Sequence, residues 1–152
     1  MTQAGSIRTI TLDSLDPSAL ELVRHAQRAR ANAYAPYSRF RVGAAVRTAS
    51  GDVYVGCNVE NGSFGATVCA ERNAVGAAIA AGEREITTVA VTATADEICP
   101  PCGICRQVLS EFGPEMRVLL VTESEEIAEV SLSTLLPVRF RSEIFLHKEK
   151  EG

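Results

Sequence analysis

Histidine is nearly absent from this 152-residue chain: His25 and His147 are the two, and both read as solvated or half-buried bystanders outside any motif. A site built on imidazole is therefore a poor starting point. Long apolar runs are also missing, and no stretch approaches the ~20 residues that a membrane-spanning helix requires. The opening "MTQAGSIRTITLDSLD" lacks the basic-then-apolar plan of an export signal, so the expectation is a cytoplasmic protein without a membrane partner. No long basic block occurs, and the net charge is −4 with both signs interspersed, which argues against a nucleic-acid partner. Internal repeats, low-complexity tracts and linkers are absent as well. A chain of this length suits one domain with a real core.

Cysteine is plentiful by contrast. Cys57, Cys69, Cys99, Cys102 and Cys105 make an odd count, and three of the five crowd into "CPPCGIC". Without an export signal that pattern fits metal or catalytic thiols better than a disulfide framework.

The apolar periodicity organises the rest. Residues 1–15 have weak periodicity and read as a loose arm. "DPSALELVRHAQRARANAY" reads as a helix, with Asp16 as N-cap and Pro17 at its first position, stopped by "PYS". "FRVGAAVRT" and "VYVGCNV" flank a hairpin turn at Gly51-Asp52. The turn-rich "ENGSFGAT" leads into a helix over about 68–81, ended by Gly82. "ITTVAVTAT" and "MRVLLVT" are strands on either side of a helix at "CGICRQVLSEF", and "EVSLSTLLP" is ambiguous between a strand that runs into a short helix and a turn. The chemistry-bearing domain spans 16–142, and 143–152 form a polar tail. This order predicts an α/β protein whose mixed sheet is covered by helices.

Cys102 and Cys105 form a Cys-x-x-Cys pair at a helix start, which alone means either a redox dithiol or half of a zinc site. Cys69, at the start of another helix, is a candidate third ligand. Three protein ligands leave a fourth position open, as catalytic zinc requires, whereas Cys99 as a fourth ligand would close it. Glu71 stands two residues after Cys69. In mid-helix such residues face apart, but in the first turn both can reach past the helix end. Glu71 would then sit beside the zinc without ligating it, placed to take and redeliver a proton from a water that zinc acidifies to a pKa of about 7. Three thiolates leave the centre formally negative. Arg72 and two helix N-termini would offset that charge, Arg72 by hydrogen-bonding to sulfur.

At these residues the chain resembles the small homotetrameric cytidine deaminases, which are zinc enzymes of pyrimidine salvage. The likeness rests on Cys69-Ala70-Glu71 with Pro101-Cys102-Gly103-Ile104-Cys105, and on "NAYAPYSRFRVGAA", "GCNVEN", "PCGICRQVLSEF" and "LLPVRF" in the family's order. These blocks cover roughly residues 16 to 142. The resemblance implies a single-domain three-layer α/β/α fold with a mixed sheet of about five strands and one zinc ion per subunit. The implied reaction is hydrolytic deamination of cytidine and 2′-deoxycytidine.

Asn58 and Glu60 would then bind the ribose, and Phe40 would line the base pocket. The Ala70 backbone N–H and Glu71 would read the pyrimidine edge. Phe140 would reach a neighbouring subunit's base, making the active sites shared. Phe64 stands where Tyr is usual in the family, and a lost hydroxyl there affects a contact near the sugar or a subunit boundary. Two other readings remain open: a deaminase of a modified nucleoside such as blasticidin S, and a structural zinc module closed by Cys99. Taken alone, Cys57 reads as a small buried hydrophobe, Glu71 as a first-turn helix acid, Arg72 as a surface residue, and Asn58 and Glu60 as turn residues.

Overall fold

A computed structural model describes residues 7–146, which form a six-stranded sheet in the order β1-β6-β5-β4-β2-β3. In chain order the main elements are β1 (Arg8–Ile10), α1 (Pro17–Arg30), β2 (Val42–Thr48), β3 (Val53–Cys57), α2 (Ala70–Ala80) and β4 (Ile86–Ala93). They continue as α3 (Gly103–Phe112), β5 (Arg117–Val121), β6 (Ile127–Ser131) and α4 (Leu132–Leu135). β4 and β5 run parallel, joined through α3, and every other neighbouring pair is antiparallel.

The two faces of the sheet are covered differently. On one, Leu22, Val23 and Ala26 of α1 pack on Ala45, Ala90 and Leu119. On the other, Ala70, Ala74, Val75 and Ala78 of α2, Leu109 of α3 and Leu132 of α4 meet Val46, Val89, Val91, Val118 and Leu120. Alternate strand residues thus serve opposite layers, as a pleated strand requires. The three-layer α/β/α arrangement follows.

Two glycines let the layers close. A Cβ on Gly56 of β3 would stand 2.4 Å from both the Ala70 carbonyl oxygen and the Ala74 nitrogen of α2. A Cβ on Gly43 of β2 would stand 2.1 Å from the Ala26 carbonyl oxygen of α1. Only a residue without a side chain permits such approach.

Two expectations change, and one ambiguity is resolved. The loose arm does not hold for Arg8–Ile10, which pair antiparallel with β6 and supply the sixth strand. A short, exposed edge strand carries too little apolar alternation to be read locally. α1 ends at Arg30 rather than near Tyr34, because Tyr34 pairs instead with the segment after β3: its N–H donates to the Asn58 carbonyl, and its own carbonyl accepts from Glu60 N–H. The ambiguous "EVSLSTLLP" takes the first of its two readings, the end of β6 running into the single helical turn α4. Residues 1–6 and 147–152, and with them His147, lie outside the described residues. His25 sits on α1, across the sheet from α2 and α3, beside Glu21.

Candidate active site

α2 and α3 begin side by side on one face of the sheet, and each begins on a cysteine. Cys69 is the N-cap of α2 and Cys102 the N-cap of α3, both with extended backbone, while Cys105 lies in the first turn of α3. The three sulfurs lie within 4.8 Å of one another, and Cys69 Sγ is 3.9 Å from Cys102 Sγ. Zinc–sulfur bonds of about 2.3 Å at tetrahedral angles place sulfurs roughly 3.8 Å apart. The donor set therefore fits zinc, and all three ligands sit at the positive ends of helices, where thiolates are favoured. Cys99, half-buried, stays outside this triangle.

Glu71 follows one residue into α2 and is 5% exposed. Its Oε2 lies 3.7 Å from Cys105 Sγ, so the carboxyl overhangs the triangle. Burial, more than any other influence, raises its pKa. A carboxyl held towards its neutral form in this way is suited to carrying a proton rather than a fixed charge. The thiols are electrostatically unequal. Cys69 is pushed down to about 5, chiefly by the hydrogen bond from the Cys105 thiol and then by Arg72 and Cys102. Cys105 is pushed up, by that same hydrogen bond and by burial.

Arg72 turns back towards the helix start. One Nη donates to the Thr67 carbonyl at 3.2 Å and lies 3.9 Å from Cys69 Sγ. Its Nε is buried without a partner, the one such side-chain atom among the described residues. The guanidinium accordingly stands beside Cys69, whose pKa it helps to lower.

A cavity of about 180 Å³ opens beside the triangle, lined by Phe40, Asn58, Cys69, Ala70, Glu71 and Cys102 together with Val42, Thr67, Cys99 and Pro100. A second hollow of about 330 Å³ adjoins it at Thr67 and is lined by Tyr37, Ser38, Glu60 and Phe64. Of the sequence-predicted residues, Phe40, Asn58, Cys69, Ala70, Glu71 and Cys102 line the first space, and Glu60 and Phe64 line the second. Asn58 also has a framework task. Its Oδ1 accepts from Val42 N–H and its Nδ2 donates to the Phe40 carbonyl, each at 2.8 Å. Phe64 is exposed and meets Tyr37 edge to face, with ring centroids 5.5 Å apart.

Phe140 is not brought into either space. It is 59% exposed and stacks on Phe145 at a centroid distance of 6.0 Å. Its backbone is held at both polar atoms by the Gln107 side chain. Sequence reasoning passed over Gln107, and also Arg106, whose Nε donates to the Pro101 carbonyl at 2.8 Å and steadies the turn before Cys102. Their place directly after Cys105, in "CRQ", was the available signal. Ser38 was missed as well, since "PYS" reads only as the end of a helix.

A three-layer α/β/α sheet protein with three thiols at converging helix ends and a buried acid over them is a thiolate-metal protein with a cavity at its centre. Residues 17–122 match the family described as the cytidine and deoxycytidylate deaminase zinc-binding region, and the chain belongs to that family. Zinc is the metal for which the Cys69, Cys102 and Cys105 group is suited. The chain is 45% identical over 123 residues to a cytidine deaminase of Halalkalibacterium halodurans, covering 80% of this chain and 93% of that protein. A solved cytidine deaminase from Burkholderia pseudomallei superposes with a TM-score of 0.77 at 43% identity, over 83% of this chain and all (100%) of that one. A blasticidin-S deaminase of Bacillus cereus is more distant, at 29% identity over 68% of this chain and 79% of that protein.

Proposed function

We propose that the protein hydrolytically deaminates cytidine, and 2′-deoxycytidine, to the corresponding uridine and ammonia, as a homotetramer in cytoplasmic pyrimidine salvage. The observation that carries this reading is the buried Glu71 carboxyl overhanging the Cys69–Cys102–Cys105 triangle at the wall of a cavity. Zinc, when bound by the three thiolates, lowers the pKa of a water towards 7 and so supplies the nucleophile at neutral pH. Glu71 takes one proton as water adds to C4 of the base and passes it to N3, then takes the second from the resulting C4 hydroxyl and delivers it to the departing amine. One water is consumed and one ammonia leaves. Phe40 lines the space for the base, the Ala70 N–H and Glu71 face its polar edge, and Asn58 and Glu60 are the groups for the ribose hydroxyls. Arg72 offsets thiolate charge through its approach to Cys69.

A nucleoside substrate is supported by the pairing of a small cavity with a second hollow lined by Glu60. The open cavity beside the triangle and the position of Cys99 outside it weigh against a closed structural zinc module. The Halalkalibacterium halodurans relative named for cytidine is more similar than the relative named for blasticidin S. Exposed Ile104, Val138, Phe140, Ile144 and Phe145 give the apolar surface on which subunits would meet. No helix among the described residues is long and apolar enough to cross a membrane.

The test is the loss of cytidine absorbance on adding protein, with and without a chelator. Glu71→Ala that retains zinc is expected to lose about 10²–10⁴-fold in turnover. Substantial residual turnover in that variant would refute the role given to Glu71. Light scattering that reports a monomer would refute the tetramer.

A further inference from the structure

We infer that Ser38 is a positioning residue for the sugar-side carboxylate, because its hydroxyl ties Glu60 to the backbone of Phe40. The inference rests on the proposed nucleoside function and adds a residue to it.

Glu60 is held by a short loop rather than left free in its hollow. Its Oε1 accepts the backbone N–H of Tyr37 at 3.0 Å and of Ser38 at 3.1 Å. Its Oε2 accepts the Ser38 hydroxyl. That hydroxyl in turn accepts the Phe40 N–H at 3.0 Å. One oxygen atom therefore links the carboxylate of one subsite to the backbone of the aromatic wall of the other. Asn58 completes the frame by donating to the Phe40 carbonyl at 2.8 Å.

The turn between the two anchors is strained. Arg39 has φ of 60°, the left-handed region that side-chain-bearing residues disfavour. It persists because Arg39 N–H reaches the Ala35 carbonyl at 3.0 Å and Phe40 N–H reaches Ser38 Oγ. Without the hydroxyl, Phe40 N–H loses its acceptor and Glu60 Oε2 loses its donor together. Glu60 would keep its two backbone bonds through Oε1, while Oε2 would be free to turn.

The expected signature is a defect confined to substrates that engage Glu60. Ser38→Ala should raise KM for cytidine roughly tenfold while kcat changes by less than about threefold, the scale of one hydrogen bond to a charged group. For 2′,3′-dideoxycytidine, which lacks the hydroxyl that Glu60 would grip, KM or the inhibition constant should move by less than about twofold. Ser38→Thr keeps the hydroxyl and should restore cytidine binding to near wild type. Ser38→Gly also removes the hydroxyl, and serves the same comparison if the alanine variant is poorly folded by its thermal midpoint. In a Glu60→Gln background, Ser38→Ala should add little. Equal penalties on the two nucleosides, no penalty on cytidine, or additive effects with Glu60→Gln would each overturn the role of Ser38. A wild-type enzyme inert towards cytidine would overturn the function itself, so the two failures are distinguishable.

Discussion

Arg72 is the residue whose surroundings are least ordinary. It spends one nitrogen on the Thr67 carbonyl and the Cys69 sulfur, and keeps Nε buried without a partner. A buried donor without an acceptor costs about 1–3 kcal/mol, a cost that the proposed offset of thiolate charge would balance. Arg72→Gln is expected to lower turnover or zinc affinity about 10–100-fold, the usual cost of losing a partner of a metal ligand. Metal content and kcat measured on the same preparation check this, and wild-type values in both would rule it out. The helix-start geometry of Cys69, Glu71 and Arg72 was legible from spacing alone, because residues two apart can share a site only where a helix begins. Ser38 was not legible. Its partner Glu60 lies 22 positions away, and nothing local in "PYS" signals a carboxylate.

Elements, rather than residues, set where those groups stand. α2 approaches β3 so closely that Gly56 has no room for a methyl group. Gly56→Ala should push the start of α2 outward, displacing Cys69 from the triangle and Glu71 from its place over it. Loss of stoichiometric zinc in a protein with native circular dichroism is the expected result.

α1 is anchored differently. Asp16 accepts Ala19 N–H at 3.0 Å as its N-cap and also pairs with Arg117 of β5 at 2.8 Å, while Arg117 holds Glu129 of β6 at 2.9 Å. Arg117 keeps both carboxyls below their ordinary pKa. Their contribution is therefore complete above roughly pH 4 and fades as pH falls through the lowered folded values. Arg117→Met should cost roughly 1 kcal/mol at pH 7, and the gap to wild type should shrink towards pH 2. Thermal melts across that range decide it, and a gap that widens in acid would be wrong in sign. The N-cap of α1 was readable from "DP", but the clamp from β5 and β6 was not, because it joins residues 101 positions apart.

At the scale of the molecule, a mixed sheet covered by helices followed from the alternation of apolar strands with helices. The edge strand β1 did not, since its pairing with β6 depends on a partner from the far end of the chain. Zinc bound only to the folded form stabilises it by mass action. Chelation should therefore abolish turnover and lower the thermal midpoint, and restoring zinc should return both. An unchanged midpoint would mean that the ion is not held by the native state.

The thiol triangle draws Cys69 from the segment before β4 and Cys102 and Cys105 from the segment after it, and β4 lies between β2 and β5 in the sheet. The triangle in this geometry therefore requires β4 in its place between β2 and β5. Zinc stoichiometry then becomes a gauge of how well the middle of the sheet has assembled, even for substitutions that touch nothing near the sulfurs.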